Sequence, residues 1–361
     1  MLRFLENMQF ALFVFFTAAY AYQIVYLFVG LIGKGRGGRE NAKLHRYAAV
    51  VAARNESAVI ANLIRTLKEQ NYPSELLDIY VIADNCTDNT AQISRKAGAY
   101  VYERFNKVQV GKGYALEYLF RHIFEDKGET AYDGFFVFDA DNIVDRDFVR
   151  EMNKMFDTGE YTALTSYRNS QNFCANWISA GYALWFLRES RFLNRPRTQL
   201  GVNCAVSGTG FLVSAQAVRE DAGWPYHLLT EDIQFFVHEI LQGRKVAFAP
   251  DAVLYDEQPT TFRQSWRQRM RWSQGYLQVF RDYGARLLRG IFRGSFSCFD
   301  MSMAIMPAFV LSTVSILVNL TLGVVGALAG DNLLVAFESV GQMLLNMYLT
   351  LLVLGGITTI T

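Results

Sequence analysis

The sequence predicts an α/β domain, a mostly parallel sheet with helices between its strands, flanked by transmembrane and interfacial α-helices. Three observations predict it. Four short apolar segments, β-branched or aromatic, alternate with helical patterns in the middle of the chain. Long stretches with almost no charge lie at both ends. Between the middle and the C-terminal stretch, Phe262 to Arg293 carries eight arginines against one acid, Asp282, interleaved with aromatic residues. With 361 residues the chain can bury a large core. Its net charge of +1 excludes a molecule that binds polyanions as a whole.

The elements divide into four stretches: an N-terminal membrane helix in 1–35, a soluble α/β domain in 36–258, amphipathic interfacial helices in 259–298, and two further membrane helices in 299–361. Phe10 to Ile32 has no charged residue, and as a helix it reaches roughly 35 Å, enough for a bilayer core. It is too long for the apolar part of a signal peptide and lacks a clear cleavage site. Lys34, Arg36, Arg39, Lys43 and Arg46 follow it, and the arginine run precedes the next stretch, so both flanks of the middle are expected on the cytoplasmic side.

Strands are expected at Tyr47–Ala53, Asp78–Asp84, Ala99–Arg104 and Gly134–Ala140, with helices around Glu56–Gln70, Thr90–Ala97 and Lys112–Phe124. In a parallel sheet, function gathers beyond the carboxyl ends of the strands. Three of the four strands end on polar residues there: Arg54-Asn55-Glu56, Asp84-Asn85 and Asp139-Ala140-Asp141. Asp139 and Asp141 are two apart at a strand end, so their carboxylates face one spot and repel unless a cation lies between them. Taken alone, the pair reads equally as a solvated acidic turn. No Walker loop or G-x-G-x-x-G fingerprint is present.

Cys204 to Ser214 reads as one strand with Ser207-Gly208-Thr209-Gly210 inside it, glycines that mark a close approach of ligand or backbone. Thr230-Glu231-Asp232 stands where a helical pattern begins and is open to reading as an N-cap followed by first-turn acids. Gln268 to Trp272 reads as one turn of an amphipathic helix. The arginine–aromatic run suits single-stranded nucleic acid or an anionic membrane surface. The two C-terminal stretches, Met301–Ala329 and Leu333–Ile360, are expected to span. Within them, Ser312–Ser315–Asn319 and Glu338–Gln342–Asn346 share helix faces, as packing contacts or as a polar path. The stretch ends without a basic anchor, which suggests further chain beyond it. Cys86, Cys174, Cys204 and Cys298 show no C-x-x-C spacing and read as free thiols, and the four histidines are scattered.

Asn55-Glu56, Asp84, Asp139-x-Asp141, Thr230-Glu231-Asp232 and Gln268-x-x-Arg271-Trp272, in this order, resemble glycosyltransferase family 2. The resemblance is to its membrane-embedded branch, which includes cellulose, chitin and hyaluronan synthases, and it covers roughly Tyr47 to Trp272. It implies a GT-A-like fold and inverting transfer from a UDP-sugar, UDP-glucose or UDP-N-acetylglucosamine. Mg2+ or Mn2+ would be held by Asp139 and Asp141. The nucleotide sugar would fall to Asn55, Glu56, Asp84, Lys112, Asp139 and Arg271, and the acceptor to Gly208, Thr209, Thr230, Gln268 and Trp272. Asp232, beside Glu231, would be the catalytic base. The resemblance further implies a multi-pass protein of the plasma membrane with its catalytic domain in the cytoplasm. Its partners would be a bilayer and a glycan or glycolipid acceptor rather than nucleic acid, with a homo-oligomer open. A processive, extruding polysaccharide synthase is the leading expectation, and single transfer to a membrane lipid is the alternative. A channel subunit leaves the paired acids unexplained, and phosphoryl or nucleotidyl transfer leaves Gln268-x-x-Arg271-Trp272 without a role. The F-x-V-T-x-K segment of cellulose synthases and any cyclic-dinucleotide module are absent from the sequence.

Overall fold

A computed structural model describes residues 18–33 and 37–305, with positions 7, 10, 11, 14, 317, 318, 321, 324 and 341. In chain order the elements are α1 (Tyr22–Ile32), β1 (Tyr47–Ala53), α2 (Ile60–Lys68), β2 (Leu77–Asp84), α3 (Thr90–Lys96), β3 (Tyr100–Arg104), α4 (Lys112–Lys127) and β4 (Gly134–Asp139). They continue with β5 (Ile143–Val144), α5 (Phe148–Phe156), β6 (Ala163–Ser170), α6 (Trp177–Arg188), a π-helical turn (Glu189–Asn194), α7 (Arg195–Leu200), β7 (Phe211–Ser214) and α8 (Ala215–Glu220). The last are α9 (Glu231–Leu241), β8 (Val246–Asp256), α10 (Phe262–Phe292) and α11 (Phe296–Ile305).

The strands form one sheet in the order β3-β2-β1-β4-β7-β6-β8-β5. The first four run parallel, as alternation with helices requires. β7 runs antiparallel to both β4 and β6, β6 and β8 pair in parallel, and β5 closes the far edge antiparallel to β8. Alternate residues of each strand point to opposite faces and build two cores. Ala48, Val50, Tyr80, Ile82, Phe135 and Val137 pack with Leu116, Leu119 and Phe120 of α4 and with Phe235 and Phe236 of α9. Tyr47, Ala49, Val51, Phe136 and Phe138 pack with Leu63, Ile64 and Leu67 of α2 and with Phe148 and Met152 of α5.

The expected strand over Cys204–Ser214 is shorter than its sequence suggests. Only Phe211–Ser214 pairs, because Gly208 and Gly210 take φ of 77° and 65°, a left-handed backbone that no strand continues. Gly210 has a second reason to be glycine: a Cβ there would collide with Leu254 and come 2.8 Å from Ser166 Oγ.

The two ends of the described chain are fastened together on the domain. Arg197 of α7, 4% exposed, holds both carboxylate oxygens of Asp300 on α11, from Nε at 2.7 Å and Nη2 at 3.1 Å. Tyr22 and Tyr26 of α1 donate their hydroxyls to the same carboxylate at 2.7 and 3.1 Å. Arg197 Nη1 donates to Asn194, whose side chain in turn bonds the backbone of Ala205 on both its N–H and its C=O.

Among the described residues no helix is long and apolar enough to cross a membrane. Of the expected first span, positions 10, 11, 14 and 18–32 are described, and α1 is its eleven residues Tyr22–Ile32. The expected spans at Met301–Ala329 and Leu333–Ile360, with both polar faces, lie almost wholly outside the described residues. The interfacial stretch is one helix of 31 residues, α10, followed by α11.

Candidate active site

The parallel register brings the three polar strand ends together. Ala52 lies opposite Asp139, and Ala53 opposite Ala83, so β1, β2 and β4 finish on one edge of the sheet. Just past β1 and β2 the chain turns through Asn55 and Asn85 at φ of 59° and 52°. Asparagine is the non-glycine residue that enters this region most readily, because its short amide bonds nearby backbone. Asn55 Oδ1 accepts from the Thr87 N–H at 2.8 Å, and Asn85 Oδ1 accepts from the Asn106 N–H at 2.9 Å. Glu56 lies half-buried, its N–H donating to Thr90 Oγ1 at 2.8 Å. Asp84 is 5% exposed and ion-paired at 2.6 Å with Arg104, whose other arm reaches the Gln109 carbonyl.

Lys112 opens α4 and reaches across to β4. Its Nζ lies 2.5 Å from Asp139 Oδ1, donates to the Gly208 carbonyl at 2.7 Å and stands 3.7 Å from Glu231. Thr209 Oγ1 accepts from the Asp139 N–H at 2.8 Å and donates to Asn142 Oδ1. Ser207–Gly210 is thus a strap pinned across the acidic pair. Two carboxylates, Glu231 and Asp232, enter from α9 on its far side, and a Cβ on Gly208 would stand 3.7 Å from Asp232 Oδ2.

Thr230 does not cap α9. Its hydroxyl makes no cap bond, and among the described residues it is buried without a partner. It packs against Gly275 of α10, where a Cβ would come within 2.5 Å of both Thr230 Oγ1 and Cγ2. That close crossing seats α10 on the strand-end edge. Trp272 lies half-buried, edge-on to Tyr182 at 5.9 Å and Phe186 at 6.5 Å of α6. Gln268 Oε1, one turn earlier, is buried with no partner among the described residues, and Arg271 is exposed.

The sequence model of the family described as "Glycosyltransferase like family 2" matches residues 45–275, well over half of the chain. This chain belongs to that family. Its curated relatives include a β-monoglucosyldiacylglycerol synthase of Synechocystis sp., 28% identical over 65% of this chain and 48% of that protein. A poly-β-1,6-N-acetyl-D-glucosamine synthase of Staphylococcus epidermidis is 24% identical over 68% of this chain and 58% of that protein. The chain spans about half the length of the curated relatives it matches. A mannosyltransferase of Pyrobaculum calidifontis, solved with GDP-Man and Mn2+, shares the fold at a TM-score of 0.66 and 17% identity, covering 99% of this chain and 98% of that one.

As a member of that family the chain carries a glycosyltransferase domain, and the electrostatics of its strand-end edge fit a site that takes a cation. Burial, then Asp256 and Asp139, push the Asp141 carboxyl up to about 7. Burial and Asp232 push Glu231 up to about 7 against the pull of Lys112. Burial raises Asp232, and burial with Asp139 raises Glu56. Lys112 shows the same imbalance from the other side: burial works against its charge, yet Asp139 and Glu231 outweigh it and hold the ammonium on. So much crowded carboxylate calls for a cation. Among the described residues no three His, Cys, Asp or Glu side chains form a metal cluster. Asp139 and Asp141, which feel each other's charge at the end of β4, offer hard oxygens. Two carboxylates completed by diphosphate oxygens and water are what Mg2+ or Mn2+ takes in nucleotide sites.

Sequence reasoning missed the layer behind these carboxylates. Asp256, at the end of β8, accepts from Asn142 Nδ2 at 2.9 Å, Gln258 Nε2 at 2.9 Å and Arg168 Nε at 3.0 Å. Arg168 Nη1 donates to the Ser207 carbonyl at 2.8 Å, and its guanidinium lies 3.9 Å from the Phe186 ring centre. The signal available was Arg168 itself, a charge inside an otherwise short-polar strand.

Proposed function

We propose that this glycosyltransferase moves a single sugar, glucose before N-acetylglucosamine, from a UDP-sugar to a hydroxyl of a membrane lipid, with inversion. The observation that carries the acceptor is the relative named β-monoglucosyldiacylglycerol synthase. The surface of α10 supports it. Phe262, Trp266 and Met270 follow one another at i, i+4, i+8, all exposed, and Arg263, Arg267 and Arg271 form a parallel exposed stripe beside them. An apolar stripe next to a cationic one suits an anionic lipid surface. The helix that carries both stripes also carries Gln268 and Trp272 to the site.

The chemistry follows from the placements. Asp232 accepts the proton of the attacking hydroxyl, and its raised pKa suits a base. The hydroxyl oxygen bonds to the anomeric carbon as the bond from that carbon to the diphosphate oxygen breaks, and UDP leaves with the electron pair. Asp139 and Asp141 would hold Mg2+ or Mn2+, which supplies Lewis-acid neutralisation of the diphosphate. Lys112 orients Asp139 and ties it to the strap beneath the acceptor. Gln268 Oε1, buried and without a partner among the described residues, is an acceptor for a sugar or glycerol hydroxyl. Processive polymer synthesis is the second reading, favoured by the relative named poly-β-1,6-N-acetyl-D-glucosamine synthase.

The test is the full chain with UDP-glucose, UDP-N-acetylglucosamine or GDP-mannose, with and without diacylglycerol vesicles, with Mn2+ or EDTA. A product carrying one sugar on lipid, lost in EDTA, is expected. A high-mass glycan made without added lipid replaces this reading by the second, and no nucleotide release from any donor sinks both.

A further inference from the structure

We propose that Arg168 and Asp256 are positioning residues for sugar transfer, holding the Ser207–Gly210 strap and the Asp139–Asp141 carboxylates in one fixed relation through Asn142. The proposal rests on the sugar-transfer reading above.

Both partners are withdrawn from solvent, with side chains 12% and 4% exposed. A buried ion pair contributes little net stability, and an apolar pair of like volume commonly serves the core as well or better. Its use here is therefore sought in what its remaining bonds reach. Asp256 is saturated by Arg168, Asn142 and Gln258. Asn142 then turns its other end to the site, where Oδ1 accepts from the Asp139 N–H at 3.1 Å and from Thr209 Oγ1. It also follows Asp141 directly in the chain. On the other arm, Arg168 donates to the Ser207 carbonyl. The next carbonyl, Gly208, is taken by Lys112, the same ammonium that holds Asp139. Successive strap carbonyls are thus held by two cations, Lys112 paired to Asp139 itself and Arg168 to Asp256, which reaches Asp139 through Asn142. Residues of β4, β6 and β8 far apart in sequence close this circuit.

A second consequence concerns the acceptor. Arg168 lies over Phe186, and Phe186 meets Trp272 edge-on. The circuit therefore extends to the ring proposed for the acceptor. A shift of the ion pair moves the donor metal site and the acceptor floor together, whereas a brace between β6 and β8 would affect neither. Outer partners of metal ligands commonly set affinity by about 10–100-fold.

The experiment uses the full chain and the variants Asp256→Asn, Arg168→Lys and Asn142→Ala. Mn2+ binding is titrated by electron paramagnetic resonance, alone and with UDP. The fraction of UDP-sugar hydrolysed rather than transferred, and the melting temperature, are measured beside it. Asp256→Asn is expected to weaken Mn2+·UDP binding about tenfold or more. Arg168→Lys, which keeps the charge but loses the fork, is expected to raise the hydrolysed fraction severalfold. Asn142→Ala keeps both members of the ion pair and cuts its links to Asp139 and Thr209, so it must reproduce the metal defect even if the other two fold poorly. Unchanged Mn2+ affinity and an unchanged hydrolysed fraction, with only the melting temperature lowered, overturn the proposal and leave a structural brace. A wild type that binds Mn2+ and UDP but transfers no sugar refutes the function reading instead, while the metal titration still judges the network. A wild type that binds no Mn2+ overturns both.

Discussion

Replacing Lys112 with methionine keeps the length of the side chain and removes its charge. In wild type the ammonium lies 2.5 Å from Asp139 and 3.7 Å from Glu231. At an effective dielectric of about 20, the nearer contact alone is an attraction of about 7 kcal/mol, most of it offset by desolvation. Removing one partner of a fully buried pair costs about 3–5 kcal/mol. Asp139 is 40% exposed, so solvent screens it, and about 2–3 kcal/mol is the expected loss. For a domain of this size that is a fall in melting temperature of about 5–10 °C. The gap should narrow when Mn2+ and UDP are added, because the divalent ion then neutralises the carboxylates that the lysine faced. In parallel, kcat/KM should drop by about 10²-fold, or about 3 kcal/mol of transition-state stabilisation. Thermal unfolding with and without Mn2+·UDP, and UDP release at varied donor, measure both. A stability gap of the same size in Mn2+·UDP, or a variant more stable than wild type without it, would refute the reasoning that Lys112 serves as a counter-charge for the metal carboxylates.

Asp232→Asn should lower transfer by about 10²–10⁴ while leaving UDP binding intact; near-normal turnover would remove Asp232 as base. The base works only when ionised, so a raised pKa moves the acid limb of kcat/KM upward: activity should be lost as pH falls through a value above the ordinary aspartate range. A limb within that ordinary range contradicts the burial seen at α9. Gly210→Ala forces a side chain into left-handed backbone against Leu254 and Ser166, and should cost about 2 kcal/mol or more in thermal unfolding. A neutral substitution there would mean that the strap is free to move.

The parallel half of the sheet was legible because its strands carry their own signal. Tyr47–Ala53 is found with the ends its sequence suggests, and Gly134–Asp139 ends one residue earlier. Both are unbroken apolar runs, and burial on both faces demands that pattern. β6 and β8 gave no such signal. β6 ends in Arg168-Asn169-Ser170, and β8 contains Pro250. Their ladder tolerates the proline by a shift of register, from Ser166 opposite Ala249 to Tyr167 opposite Val253, which bulges the intervening residues out. The motifs singled out Asp139, Asp141, Glu231 and Asp232, yet the Arg168–Asp256 pair joins positions 88 residues apart, and no local pattern announces such a partner. Thr230 shows the opposite failure. The residue type, the position and the acids after it all suit a helix cap, but Thr230 packs against the crossing of α10 at Gly275 and its hydroxyl makes no cap bond.

The family match stops at residues 45 and 275, but the fold does not come apart at those points. Arg197 lies inside the matched region and is buried, while Asp300, Tyr22 and Tyr26, which answer its charge, all lie outside it. A fragment trimmed to the matched region would lose the carboxylate and both hydroxyls gathered at Arg197, together with the helices that carry them. Asn194 links the same arginine to Ala205, two residues before the strap begins. Where α1 and α11 are anchored, and how firmly, is thus mechanically connected to the strap proposed as the acceptor's floor.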